Sequence, residues 1–414
     1  MFDFMDADFN TGEDFVCEGP YIPDASECMR CGMCVSSCPT FRLFQTDEET
    51  PRRRIQTIRK LLTAQLISTE ERQHLNNCLQ CRACEPVCPS RMAYGELFDQ
   101  AQTKLQTKTN LLAKLAFRMI AQKRWRTRLL PLMAIYIKSG LQKPLRNSGL
   151  LKKLNLAEAE ALLGKPALKA LQTYYPTQTT RRGSVALFTG CIAEAFDRDT
   201  LEASITLLNA IGYDVNVPSQ QGCCGAIHQH NGQSATEFIQ NNLKVFNALD
   251  VDAVIHTASG CGAMLSEYQT EEAEAMARFA GRLADINEFL VRHWPDELKL
   301  KPAQLRVAVH EPCSQRNVLK NQQAVYILLE KIPELQVSPL PDNQMCCGAG
   351  GSYMLTHPDN AKRLRALKYQ AISQVQADQV VSSNFGCAVF LSSDAEKILH
   401  PLVLLARQLP QAAT

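Results

Sequence analysis

The chain has 414 residues, 44 Lys plus Arg against 42 Asp plus Glu, and 17 cysteines. That length makes two or three domains, each able to bury an ordinary core, and the near-neutral balance excludes the bulk basic excess of a nucleic-acid-binding protein. The cysteines are too sparse for a small disulfide scaffold and, being odd in number, cannot all pair, so their chemistry lies elsewhere.

Residues 1–27 carry eight acids and no Lys or Arg, with Phe2, Phe4, Phe9 and Phe15 interspersed. A targeting leader needs a basic region, so the expected compartment is the cytoplasm. Thiols stay reduced there, and clustered cysteines are read first as metal ligands. The segment itself reads as an acidic tail, or alternatively as a docking element for a partner.

Residues 28–100 contain a repeated cysteine run. Cys28-x-x-Cys31-x-x-Cys34-x-x-x-Cys38-Pro39 returns fifty residues on as Cys78-x-x-Cys81-x-x-Cys84-x-x-x-Cys88-Pro89. Three thiolates at intervals of three residues wrap one iron–sulfur cube, and the fourth, redirected by its proline, reaches the neighbouring cube. One [4Fe-4S] cluster therefore falls to Cys28, Cys31, Cys34 and Cys88, the other to Cys38, Cys78, Cys81 and Cys84. Zinc sites use Cys-x-x-Cys pairs with a longer spacer and fit two consecutive triplets badly. Between the runs, Pro51 suits a first helical turn after Thr50, and Ser68 with Glu71 forms a capping box. The expected unit is an all-helical domain of the two-cluster ferredoxin kind.

Residues 101–182 form the expected helical connector. From Gln100 to Ala157 there are thirteen Lys or Arg and no Asp or Glu, with Lys123, Arg124, Arg126 and Arg128 directly before the apolar stretch Leu129 to Ile137. That stretch, interrupted by Pro131 and ended by Lys138, is too short to span a membrane. Leu111, Leu112, Leu115, Met119 and Ile120 recur at helical spacing, which predicts an amphipathic helix with a cationic side. Three readings fit: a solvated connector, a docking face for an acidic subunit, or contact with an anionic membrane surface over residues 104–153.

Beyond residue 183 short apolar runs alternate with helical patterns, and the segment repeats itself. Cys191 answers Cys313, Cys223-Cys224-Gly225 answers Cys346-Cys347-Gly348, and Gly260-Cys261 answers Gly386-Cys387, at offsets of 122, 123 and 126 residues. The implied fold class is α plus α/β, the helical part being followed by a duplicated α/β domain in two repeats, residues 183–300 and 301–414. The cysteines fall in loops after parallel strands. Adjacent cysteines on a strand would face opposite ways, so each Cys-Cys-Gly is a turn. The eight thiols Cys191, Cys223, Cys224, Cys261, Cys313, Cys346, Cys347 and Cys387 read as ligands of further iron–sulfur clusters or metal, as a redox-active thiol set, or as buried free cysteines; Cys17 is left unassigned. His228, His230, His256 and His310 are expected to be hydrogen-bonded loop residues near these turns rather than ligands, one near a cluster being able to tune its potential or shuttle a proton, and Gly348-Ala349-Gly350-Gly351, which lacks dinucleotide-binding order, to be a close-packing segment.

With these motifs in hand, the chain from Cys28 onward resembles the iron–sulfur subunits of bacterial glycolate oxidases, also called glycolate dehydrogenases. The resemblance rests on Arg30-Cys31-Gly32, Thr257-Ala258-Ser259-Gly260-Cys261-Gly262, and Cys346-Cys347-Gly348 with Thr356-His357-Pro358. Looser relatives are the iron–sulfur subunits of D-lactate and anaerobic glycerol-3-phosphate dehydrogenases, and the Cys-Cys-Gly component of heterodisulfide reductases. The resemblance implies an electron-transfer subunit with no catalytic residue of its own. It would take electrons from FAD-containing partner subunits that oxidise glycolate to glyoxylate, and pass them towards the membrane quinone pool at the cytoplasmic face of the inner membrane. A D-lactate dehydrogenase subunit and a heterodisulfide or thiol–disulfide reductase with catalytic Cys-Cys-Gly cysteines are the alternatives. Against the last, Ala258 and Asn384 stand where heterodisulfide reductase has the first cysteine of a closing Cys-x-x-Cys pair.

Overall fold

The computed structural model describes residues 25–105, 119, 121–154, 156–393 and 396–410. Residues 1–24 of the acidic tail, Cys17 among them, and the periodic positions Leu111, Leu112, Leu115 and Ile120 lie outside the described residues.

The N-terminal part is helical. Helices Pro39–Phe44, Pro51–Leu62, Thr69–Asn76 and Tyr94–Leu105 close around Ile55, Ile58, Leu75, Leu97 and Phe98. The local signals hold: Thr50 accepts from the Arg53 N–H with Pro51 in the first turn, and both bonds of the Ser68–Glu71 capping box form. The connector follows as helices Lys123–Lys138, Gln142–Asn147, Leu150–Lys153 and Ala157–Ala161. Here the structure differs from expectation twice. Pro131 does not interrupt its helix but lies inside Lys123–Lys138. It falls on the exposed side, as does Thr127, whose carbonyl would otherwise have accepted from the N–H that a proline lacks. The connector is also not helical throughout, because it ends in strand β1, Tyr174–Tyr175.

Two sheets make up the remainder. β2 (Gly183–Phe188), β3 (Tyr213–Asn216), β4 (Ala253–His256) and β5 (Leu283–Asp285) join β1 in the order β1-β3-β2-β4-β5. All neighbours are parallel except β1, which pairs antiparallel with β3 at the edge. β6 (Arg306–His310), β7 (Gln336–Pro339) and β8 (Gln379–Ser382) form a parallel sheet in the order β7-β6-β8. The duplication is therefore structural: each half begins with its central strand, lays the next on one side and the third on the other. A parallel bridge from Val381 to Leu399 stands where β5 stands in the first half.

Strand alternation divides the core. Val185 and Leu187 of β2, with Val307 and Val309 of β6, face one shared apolar core between the halves. The opposite faces carry Ala186 and Phe188 in the first half and Ala308 and His310 in the second, and it is on these faces that the cysteines collect.

Candidate metal centres

The two N-terminal cysteine runs fold alike. Arg30 and Gln80 adopt φ of 54° and 52°, and Gly32 and Arg82 adopt 84° and 56°, at matching places in each run. The turns that follow match as well: Val35 N–H bonds to Gly32 O at 3.0 Å and Glu85 N–H to Arg82 O at 3.1 Å, then Cys38 N–H to Val35 O at 3.1 Å and Cys88 N–H to Glu85 O at 3.0 Å. These left-handed residues turn the chain sharply enough for three side chains in seven residues to face one centre.

Two cavities result. One takes in about 450 Å³ of space, part of it open to solvent, and its walls include Cys28, Cys31, Cys34, Cys84 and Cys88. The other takes in about 310 Å³, also partly open to solvent, and its walls include Cys38, Cys78, Cys81 and Cys84. Each cavity thus meets three thiols of one run and the proline-flanked thiol of the other, with Cys84 on both walls.

The polar surroundings favour negative charge on sulfur. Arg54, 2% exposed, is ion-paired with equally buried Glu49, and its guanidinium lies 3.7 Å from the Cys38 sulfur and 2.9 Å from Thr40 Oγ1. Burial opposes the Arg54 charge, but Cys78, Tyr94, Cys38 and Glu49 together hold its pKa above the ordinary range. Tyr94 Oη and the Gln80 N–H donate to Cys78 Sγ at 3.5 and 3.4 Å. Burial pushes Cys34 up to about 11, and raises Cys78, Cys81 and Cys84 too. Such groups lose their protons when a metal replaces them. Four converging thiols fit a cuboidal cluster in each cavity, and at the second a buried cation and donors aimed at sulfur add to the fit.

In the duplicated part the cysteines gather beyond the C-terminal ends of the strands. Cys191 and Cys313 follow the central strands, the Cys-Cys-Gly turns follow β3 and β7, and Cys261 and Cys387 lie in helices Ser259–Ser266 and Phe385–Leu391 after β4 and β8. Cys191 Sγ is 3.4 Å from Cys223 Sγ and Cys224 Sγ 3.5 Å from Cys261 Sγ, while Cys347 Sγ is 3.1 Å from Cys387 Sγ. Gly225 and Gly348 sit at φ of 92° and 94°, which puts their N–H groups 3.4 and 3.5 Å from Cys223 and Cys346 sulfurs. In the second half, hydrogen bonds from Cys313 and Cys347 pull Cys346 well below the usual thiol range, helped by the Gly348 N–H and the Lys368 ammonium. Lys368 is buried, donating to the Asp342 carbonyl at 2.6 Å. Asn384, standing in place of a thiol, donates to Cys387 Sγ at 3.3 Å and accepts from the Gly260 N–H of the other half at 3.2 Å.

The histidines are not loop residues. His228 and His230 belong to helix Ala226–His230, where His228 packs on Phe238 and His230 lies 3.5 Å from Asp99 Oδ1. His256 and His310 end β4 and β6, and burial lowers them to about 4 and about 3. His310 stands among thiols: among the described residues, His310, Cys347 and Cys387 are the one group of three or more His, Cys, Asp or Glu whose ligand atoms all lie within 4.8 Å of one another. Its signal was strand alternation, which puts residue 310 on the face of Ala308. The glycine run packs closely at Gly348 and at Gly350, where a Cβ would meet Tyr353 and Leu79, while Gly351 faces open space.

The second cavity lies against the second half. Cys81 and Leu79 pack with the cluster that contains Cys346 and Cys347, Asn317 Nδ2 donates to the Cys81 carbonyl at 2.7 Å, and Cys81 is within electrostatic reach of Cys346 and Cys313.

The chain matches the 4Fe-4S dicluster domain family over residues 24–92 and the Cysteine-rich domain family over residues 185–266 and 307–392. In fold it resembles the crystal structure of a hypothetical protein from Helicobacter pylori, with a TM-score of 0.50 and 11% identity over 88% of this chain and 68% of that one. Lactate utilization protein A of Geobacillus thermodenitrificans is 26% identical over 53% of this chain and 94% of its own length. The glycolate oxidase iron-sulfur subunit of Escherichia coli is 31% identical over 88% of this chain and 89% of its own, and the probable glycolate oxidase iron-sulfur subunit of Bacillus subtilis is 33% identical over 89% of both. Kinship of that extent takes in both thiol-bearing parts at once, and the chain belongs to the glycolate oxidase iron–sulfur subunit family.

Proposed function

We propose that this chain is the electron-relaying subunit of a flavin-dependent 2-hydroxy-acid dehydrogenase whose partner subunits carry FAD and oxidise glycolate to glyoxylate. The carrying observation is the pair of cavities, each walled by a triplet of thiols from one run and the proline-flanked thiol of the other. On this reading Cys28, Cys31, Cys34 and Cys88 hold one [4Fe-4S] cluster, and Cys38, Cys78, Cys81 and Cys84 the other. Bound clusters supply reversible one-electron storage.

The chain's own residues do the rest. Cys31 is exposed where Cys38 is buried, so the two sites differ in their access to water, a main determinant of potential. Arg54, Tyr94 and the Gln80 N–H stabilise charge on the inner set. Cys81 brings that set against the thiols of the second half, which favours further metal there. Electrons would leave towards a quinone acceptor from a peripheral position at the cytoplasmic face of the inner membrane. No helix among the described residues is long and apolar enough to cross it.

The test is anaerobic purification with iron counting and electron paramagnetic resonance. Two cubes give about eight irons per chain, and more means that the duplicated part is loaded as well. Cys88→Ser is expected to damage the site of the first triplet, and Cys38→Ser that of the second. Colourless, zinc-containing protein would overturn the proposal. Close sulfur pairs such as Cys347–Cys387 at 3.1 Å favour a second reading, disulfide reduction at the Cys-Cys-Gly turns. Serine at Cys223, Cys224, Cys346 and Cys347 separates the two, by loss of disulfide reduction or by loss of iron and quinone reduction. Turnover of the assembled complex with glycolate against D-lactate decides the substrate.

A further inference from the structure

The two halves are not equivalent where their thiols gather. In register, Phe188 of β2 pairs with His256 of β4, whereas His310 of β6 pairs with Ser382 of β8. The central strand therefore presents a phenyl ring to the thiols of the first half and an imidazole to those of the second. His256 does not substitute: its ring lies against Gly262 and 3.7 Å from Asp285 Oδ2. His310 is 1% exposed, its Nδ1 lies 3.0 Å from Ser382 Oγ, and its ligand atom shares a sphere with the Cys347 and Cys387 sulfurs.

We propose that His310 is a nitrogen donor to a metal centre in the second half, bound together with Cys347 and Cys387, so that the two halves hold centres of different composition. The inference rests on the reading that the Cys-Cys-Gly thiols bind metal. A set of imidazole and thiolates suits zinc or iron, which accept both donors at tetrahedral sites. The neighbouring Cys346 and Cys313 offer the remaining sulfur. Ser382 fixes the ring through the nitrogen that faces it, as hydroxyls and carbonyls do around ligating histidines. The first half, with Phe188 in the corresponding place, offers sulfur alone.

The experiment uses the full chain purified anaerobically, with metal content per chain and pulsed paramagnetic resonance for ¹⁴N coupling; cobalt(II) is exchanged into the site where the resident ion is silent. Wild type is expected to show imidazole nitrogen coupling. His310→Phe, which copies the first half, should lose that coupling with its metal, while His310→Cys should keep the metal and lose the coupling. Ser382→Ala should weaken metal retention about 10–100-fold. Coupling that persists in His310→Phe, or is absent from metal-loaded wild type, overturns the assignment of His310. If Cys347→Ser and Cys387→Ser lose no metal relative to wild type, the second half is not metallated and the premise falls with the proposal. The signals of the N-terminal clusters should be unchanged in every variant, which shows that the proposed electron-relay reading stands apart from this test.

Discussion

His400 is buried, and one of its two bonds requires a neutral ring: Nδ1 accepts from the Leu402 N–H at 3.2 Å, capping the last helix, while Nε2–H donates to the Thr257 carbonyl of the first half at 3.0 Å. Burial lowers its pKa from 6.5 to about 4. The native ring thus refuses a proton that the unfolded chain accepts. Its contribution is fully present above pH 6.5 and is lost as pH falls towards 4, an effect of about 3 kcal/mol at most. His400→Asn keeps an effective cap and a donor for Thr257 but removes the titration. Its unfolding midpoint is expected to fall less steeply than that of the wild type between pH 6.5 and 4, leaving the slope due to the other buried groups, His256 and His310 among them. An unchanged slope would show that His400 is not the titrating group. Metal-free binding residues obey the same logic with the opposite outcome: thiols pushed up by burial, such as Cys34 at about 11, stay protonated until a cation takes the proton's place.

At the level of elements, the tight Cys-Cys-Gly turn has a requirement that no other residue meets. A Cβ at Gly348 would stand 2.7 Å from the Ala361 carbonyl oxygen and 2.9 Å from Leu364 Cβ, at a φ of 94°. Gly348→Ala is expected to cost more than about 2 kcal/mol through strain and collision and to strip metal from the second half. Gly351→Ala, with open space at φ 61°, should cost about 1 kcal/mol and keep it. Equal effects on metal content would refute the role of the turn. Much of this was legible in the chain. Cysteine spacing repeated at fifty residues became turns repeated bond for bond, and the offsets near 123 became two sheets with the same strand order. What stayed hidden depended on three-dimensional surroundings. Pro131 remained helical because its missing donor falls on an exposed side. β1 was too short for any pattern, and exists because an edge of the first sheet was free to accept it. His310 looked like a loop residue because its meaning lies in the strand face it shares with Ala308, and the role of Asn384 required the other half to be in place.

The whole molecule is held together by polar bonds that cross its parts. Gln80 Nε2 donates to the His230 carbonyl at 3.0 Å, Arg82 pairs with Glu267, and Arg42 with Asp342. The N-terminal helices are thereby fixed on both halves. The basic connector is anchored in the same way: Lys123 and Arg126 both engage Glu194 of the first half, so these two cations are structural rather than free for a surface. Beside them the helix exposes further cations, Arg124, Arg128 and Lys138, together with large apolar side chains. Trp125, Leu132 and Ile135 are 47%, 62% and 64% exposed, at spacings that set them along one side of the helix, and Arg128 lies 5.6 Å from the Trp125 ring. Leu141, Leu150 and Leu154 are exposed as well, at 57%, 47% and 56%. If the proposed membrane contact is made by this helix, its apolar side enters the acyl chains and its cations meet the headgroups. Loaded protein is therefore expected to sediment with vesicles containing phosphatidylglycerol, more weakly at high salt and more weakly on neutral phosphatidylcholine. Leu132→Ser combined with Ile135→Ser removes the apolar contribution at exposed positions, where folding is hardly affected. Vesicle binding should fall about tenfold or more, with cluster signals intact. Undiminished binding by that double variant would assign this face to a partner protein instead of a membrane.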